Sequence, residues 1–229
     1  MIKLKLKVFS FLAVLYCVFV FAACSSGNST QEYENVSDSS SIKSSMLESS
    51  KEVSTQIYKD YEYIVENGGV TITKYNGNNP KMTLDIPEEI NNTPVKIISE
   101  SAFQDNVSFQ CVTIPDSVTE IREKAFYNCS KLIAVDLDTR NSELSFVGNQ
   151  AFGNTKVAMF SAPQSCQKIE NAFYGSLEIL SVWGKDTRID SNVISTETKI
   201  NAYKDSVVAE QFPKDKGYNL IELTDYSQQ

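Results

Sequence analysis

The 229-residue chain carries 21 lysines and arginines against 29 aspartates and glutamates, a net charge of −8, and not one histidine. Without imidazole there is no Ser-His or Cys-His nucleophile pair, no His-based general acid or base, and no ligand set for most transition-metal sites. An acidic chain also has no electrostatic case for holding nucleic acid or anionic lipid.

Lys3, Lys5 and Lys7 precede an apolar run from Val8 to Phe21. That run is shorter than the roughly 20 residues of a stable membrane span and follows the charged-then-apolar plan of a secretory signal. It closes on Phe21-Ala22-Ala23-Cys24, which resembles a bacterial lipobox. The resemblance implies cleavage after residue 23, with Cys24 as a lipid-bearing N-terminus that holds the protein at the outer face of the membrane. An ordinary signal peptide with Cys24 incidental is the alternative. Residues 24–56 read as a tether: 12 serines fall between Ser25 and Ser54 with few large apolar residues, too little to offset chain entropy by burial. Removing residues 1–23 takes away Lys3, Lys5 and Lys7 and no acid, moving the net charge from −8 to −11.

In the segment 57–83, two alternating β-rich runs, Tyr61 to Glu66 and Val70 to Tyr75, flank Asn67-Gly68-Gly69, a strong hairpin signal. The hairpin is expected to cover the first layer of a repeat array. From residue 84 to 199 the chain repeats. Ala102-Phe103, Ala125-Phe126, Ala151-Phe152 and Ala172-Phe173 recur at spacings of 23, 26 and 21, each after an apolar residue at Ile98, Ile121, Val147 or Ile169. Such a period means units that cannot bury their apolar faces alone and must stack as a solenoid. Aligned on these pairs, short strands emerge at Leu84-Asp85-Ile86, Val112-Thr113-Ile114, Val135-Asp136-Leu137, Phe160-Ser161-Ala162, Leu180-Ser181-Val182 and Ile200-Asn201-Ala202, each apolar-polar-apolar. That is the period of a strand with one buried face. Six rungs stacked at about 4.8 Å would make one parallel sheet about 25 Å long, with the phenylalanines plugging the interior from the opposite wall. In the last segment, 200–229, Ser206 to Phe212 has the spacing of a short amphipathic helix and Tyr218 to Leu223 that of a closing strand, together forming a terminal cap.

The cysteines left after export, Cys111, Cys129 and Cys166, form no CxxC pair and are odd in number. Buried free thiols are the expected state, with Cys166 falling where other units carry Val118 or Ile90; a disulfide among the three is the alternative.

The unit Val112 to Leu132 (VTIPDSVTEIREKAFYNCSKL), the entry segment Val70 to Phe103 and the closing Ala202-Tyr203-Lys204-Asp205-Ser206 with Ala209-Glu210 resemble BspA-like leucine-rich repeat proteins, a bacterial surface group. The resemblance spans roughly residues 60 to 223. It implies a leucine-rich repeat solenoid of short parallel strands that serves adhesion or recognition, with no catalytic residues and no cofactor to carry over. Two Ser-x-x-Lys matches, Ser40 to Lys43 and Ser165 to Lys168, lack the companion motifs of serine acyl-transfer enzymes. Carboxylates are plentiful, yet a short-looped solenoid offers no deep pocket to desolvate one of a glycosidase pair. The chain is therefore not expected to be an enzyme.

The outward row of the predicted sheet includes Asp136, Ser161 and Ser181, and one step further along the strands stand Trp183 and Tyr203. Neighbouring aromatics with polar handles suit a protein or glycan ligand; packing of Tyr203 against the C-terminal end is the competing reading. Three functions are compatible with this pattern: a lipid-anchored binding module, a structural subunit of the cell envelope, or a carbohydrate-binding component.

Overall fold

The computed structural model describes residues 54–174, 177–190 and 194–223. Cys24, Ser40 to Lys43 and the expected tether as far as residue 53 lie outside these residues, and Gln56, the last residue assigned to that tether, opens the first strand.

The array opens with three antiparallel strands, β1 (Gln56–Tyr58), β2 (Tyr61–Glu66) and β3 (Gly69–Tyr75). β2 and β3 turn on Asn67 and Gly68, at φ of 50° and 76°. Two consecutive left-handed residues match the twist of the flanking strands, which is why Asn-Gly sits there. A second tight hairpin joins β5 (Glu89–Ile90) to β6 (Thr93–Ile98) through Asn91 and Asn92, both left-handed.

Three walls then repeat. The first is built from β4 (Lys81–Asp85), β7 (Phe109–Thr113), β9 (Ala134–Asp136), β11 (Met159–Ala162), β13 (Ile179–Val182), β15 (Lys199–Tyr203) and β16 (Asn219–Leu223). Their pairing is parallel and places Leu84 beside Val112 and Val135, and Phe160 beside Leu180, Ile200 and Leu220. The alignment on Ala-Phe pairs therefore gives the register, and the closing strand is a seventh rung. The expected single sheet is divided: β4-β7-β9 form one ladder and β11-β13-β15-β16 another. The interruption coincides with an insertion, since Asp136 to Val147 is three residues longer than Thr113 to Ile121. The Asp138 carboxylate organises the extra turn by accepting from the Arg140 N–H at 2.9 Å and the Asn141 amide at 2.7 Å. Those bonds, with the Arg140 N–H first, hold its carboxyl below the usual carboxylate range.

The second wall is a sheet that the strand pattern did not disclose. β8 (Glu120–Ile121), β10 (Phe146–Val147), β12 (Lys168–Ile169) and β14 (Arg188–Ile189) continue in parallel from β3 and β6. Ile98, Ile121, Val147 and Ile169, which mark each unit in sequence, are its buried residues.

The third wall carries the Ala-Phe pairs. Phe103, Phe126, Phe152 and Phe173 are all buried and stack face to face, with centroids 4.7, 5.3 and 5.3 Å apart. Tyr75 extends the stack onto Phe103 at 5.2 Å. Backbone bonds run up this wall too, from the N–H of Phe103, Phe126 and Phe152 to the carbonyls of Ala125, Ala151 and Ala172, each at 2.8 Å. The turn is tight because left-handed residues bracket the first three pairs: Ser101, Lys124 and Gln150 before them, Asp105, Asn128 and Asn154 after them. Asp and Asn tolerate that conformation better than other side chains.

Cys111, Cys129 and Cys166 are buried thiols with no disulfide among them. The Cys129 Sγ donates to the Phe103 carbonyl at 3.0 Å, and burial raises the Cys129 and Cys166 pKa values to about 12. Helix α1 (Val207–Gln211) starts at the Ser206 N-cap, whose hydroxyl accepts from the Ala209 N–H. At its end the Gln211 amide accepts from the Ile189 N–H and donates to the Ile189 carbonyl, both at 3.1 Å. One side chain thus satisfies the last edge of the second wall as a further strand would.

Candidate ligand-binding surface

Strand geometry sends alternate residues to opposite faces, so the inward columns of the first wall fix which residues face out. With Phe160, Leu180, Ile200 and Leu220 inside, Ser161, Ser181, Asn201 and Ile221 form one outward row. Met159, Ile179, Lys199 and Asn219 form the row before it, and Trp183, Tyr203 and Leu223 stand in the row after it.

Trp183 is 37% exposed and Tyr203 half-buried, their rings edge to face at 6.4 Å. Tyr203 is not sealed under the C-terminal helix, although its carbonyl accepts from the Ser206 hydroxyl at 2.6 Å and so ties the aromatic pair to the N-cap. The Lys185 ammonium sits 5.5 Å from the Tyr203 ring centroid and pairs with Asp205 at 2.9 Å. Its contact with the ring is a cation–π geometry that holds the tyrosine in place. Between the rows, the Asn201 amide donates to the Ser181 hydroxyl at 2.9 Å.

Ser161, Ser181, Trp183 and Tyr203 are therefore brought together on the four-stranded ladder. Asp136 is not among them: it lies on β9, in the other ladder, beside Thr113. That ladder lies beyond the break in the wall, and on its outward row the Thr113 hydroxyl donates to the Asp85 carboxylate at 2.7 Å.

Sequence reasoning missed two members of the surface. Met159 and Ile221 are 44% and 38% exposed, apolar residues on the outward side of strands whose inward sides are already filled. Their signal was the two-residue alternation carried one step before Phe160 and one step after Leu220. Together with Trp183 they give the ladder an apolar rim around small polar residues, a composition suited to ligand contact rather than to a solvated face.

Ser165, which opens one Ser-x-x-Lys match, donates its hydroxyl to the carbonyls of Ser142 at 2.7 Å and Leu144 at 2.8 Å. Its role is to tie one rung to the next. Among the described residues no cluster of carboxylates and thiols has the arrangement of a metal site, and no helix is long and apolar enough to cross a membrane.

Residues 85–206 match the BspA type leucine rich repeat region in six copies. Among solved structures the chain is similar to the leucine-rich repeat protein of T. pallidum, at 25% identity and a TM-score of 0.53, with 65% of this chain and 71% of that one covered. A leucine-rich repeat protein of Bacteroides capillosus aligns at 26% identity and a TM-score of 0.49, over 56% of this chain and 97% of that one. A leucine rich cell surface protein of Faecalibacterium prausnitzii aligns at 21% identity and a TM-score of 0.45, over 67% and 55%. No curated protein matches the chain.

Proposed function

Because this chain belongs to the BspA-type leucine-rich repeat family, we propose that it is a binding module of the bacterial cell surface, anchored by lipid on Cys24 and presenting the outward face of β11, β13, β15 and β16 to a protein or glycan partner. The module has no enzymatic role. The single observation that carries the reading is the exposed indole of Trp183 set edge to face against Tyr203, in a chain with one tryptophan. A large amphipathic ring on the rim of such a surface concentrates binding energy more than its area suggests. The leash of residues 24–56, with its 12 serines, and the signal-like start support export and tethering.

The test is a pull-down from envelope and host extracts with the wild type and Trp183→Ala. The variant should bind the captured partner more weakly by at least about 2 kcal/mol while melting at nearly the same temperature. A blue-shifted indole emission shielded from acrylamide, or unchanged binding by the variant, would remove Trp183 from the site. A partner encoded by the same bacterium would make the protein an envelope assembly subunit instead.

A further inference from the structure

We infer a second ligand site at the opposite end of the array, in the cleft between the β1–β2 turn and β4, which takes a short neutral saccharide. It is independent of the surface around Trp183, which lies on a different ladder.

The cleft exists because the first wall starts one layer late. In the second wall β3 supplies the layer that precedes the first full repeat, by pairing with β6. In the third wall Tyr75 does so, stacking on Phe103 and donating its N–H to the Ala102 carbonyl at 2.8 Å. In the first wall β4 is itself the first strand, and among the described residues no strand pairs along its outer edge. The vacated layer is a cleft of about 300 Å³, walled by Tyr58, Lys59 and Asp60 on one side and Lys81, Thr83 and Asp85 on the other. That volume is at the low end of small-molecule sites and suits one or two sugar rings.

Its chemistry selects the ligand. Each side contributes one lysine and one aspartate, so the walls carry no net charge, and an anion or a cation alone would meet like charge on entering. A sugar hydroxyl both donates and accepts, and the cleft offers both: ammonium and hydroxyl donors on Lys59, Lys81 and Thr83, carboxylate acceptors on Asp60 and Asp85. The apolar C–H face of a sugar ring needs an aromatic, and Tyr58, packed against the core on one side, is half-exposed on the other.

These groups are held in place before any ligand arrives. The Lys81 ammonium donates to the Tyr75 hydroxyl at 3.0 Å and sits 5.7 Å from its ring centroid. Lys59 occupies the turn tip at φ 53°, with its ammonium 5.1 Å from the Tyr58 ring. The Tyr61 hydroxyl reaches the Asp85 carbonyl at 3.5 Å, the outer limit of a hydrogen bond, so a ligand oxygen can take it over. Burial first, then neighbouring Tyr75, raise the Tyr61 pKa and keep that hydroxyl a donor.

The experiment uses the full-length protein extracted in detergent. It is screened against an array of neutral oligosaccharides and then titrated calorimetrically with the strongest disaccharide and with trialanine. The expected result is saccharide binding that weakens by about tenfold or more, about 1.4 kcal/mol, in both Tyr58→Ala and Lys81→Met, and stays unchanged in Trp183→Ala. Thermal melts of the variants check that the hairpin remains folded; Lys81→Met keeps the apolar stem and serves if Tyr58→Ala melts early. No neutral glycan bound, a preference for trialanine, or wild-type binding by Lys81→Met would each overturn the assignment. Weakening by Trp183→Ala with no effect of Lys81→Met would move the saccharide to the other surface.

Discussion

The fully buried rings of Phe103, Phe126 and Phe152 each touch a ring above and a ring below, so a single truncation removes contacts in two layers. Phe126→Ala should cost about 3 to 5 kcal/mol, because the surrounding backbone is pinned by its own ladder and cannot collapse into the void. Urea denaturation measures this, and a loss under about 1 kcal/mol would contradict an interior role. The thiols make a second residue-scale prediction. Cys129 and Cys166 titrate at about 12 in the folded protein against 9.0 ordinarily, so above pH 9 the unfolded chain loses protons that the folded one keeps. Stability is unaffected by them below pH 9 and falls as the pH rises from 9 towards 12. Urea midpoints measured across that window should decline. Iodoacetamide should label the two thiols only as fast as the protein opens, and rapid native-state labelling would refute their burial.

Each wall of a unit closes its hydrogen bonds by a different means: regular strands in the first, two-residue strands in the second, left-handed turns in the third. The ends therefore need separate solutions. At β14 the Gln211 amide replaces the missing strand, bonding both backbone groups of Ile189. Gln211→Ala should lower stability by about 1 to 2 kcal/mol, since the freed groups recover only part of the loss from water. Faster hydrogen exchange confined to the Ile189 amide and its neighbours is the accompanying signature. An exchange pattern unaltered at Ile189 would show that the amide contributes nothing. The β4 edge has no comparable seal, which is why the N-terminal cleft lies there and not at β14.

At the scale of the molecule, unit stacks on unit, so a local loss propagates along the array. A rigid body of this kind presents a fixed surface whose position depends on its attachment. If Cys24 carries the proposed lipid, the mature protein should partition into detergent, and Cys24→Ala should release it to the aqueous phase. Mass spectrometry should place the new N-terminus at Cys24, and cleavage elsewhere would exclude the anchor.

The sequence by itself determined the repeat, the register of the first wall and the buried phenylalanines, because these arise from periods of two within strands and of 21 to 26 between units. It also marked the Asn-Gly-Gly hairpin and the helix beginning after Ser206, where turn and cap chemistry is local. The second sheet stayed hidden: its strands from β8 onward are two residues long, too short for any alternation to register, and only stacking makes them a ladder. The left-handed residues around the first three Ala-Phe pairs were legible in part, through Asp105, Asn128 and Asn154, but not through Ser101, Lys124 and Gln150. The division of the first wall, the separation of Asp136 from Trp183, the company of Met159 and Ile221, and the cleft beside β4 were decided by tertiary structure alone. Each depends on which strand has a neighbour, and pairing between residues about twenty or more apart is a property of the stacked array, not of any one segment.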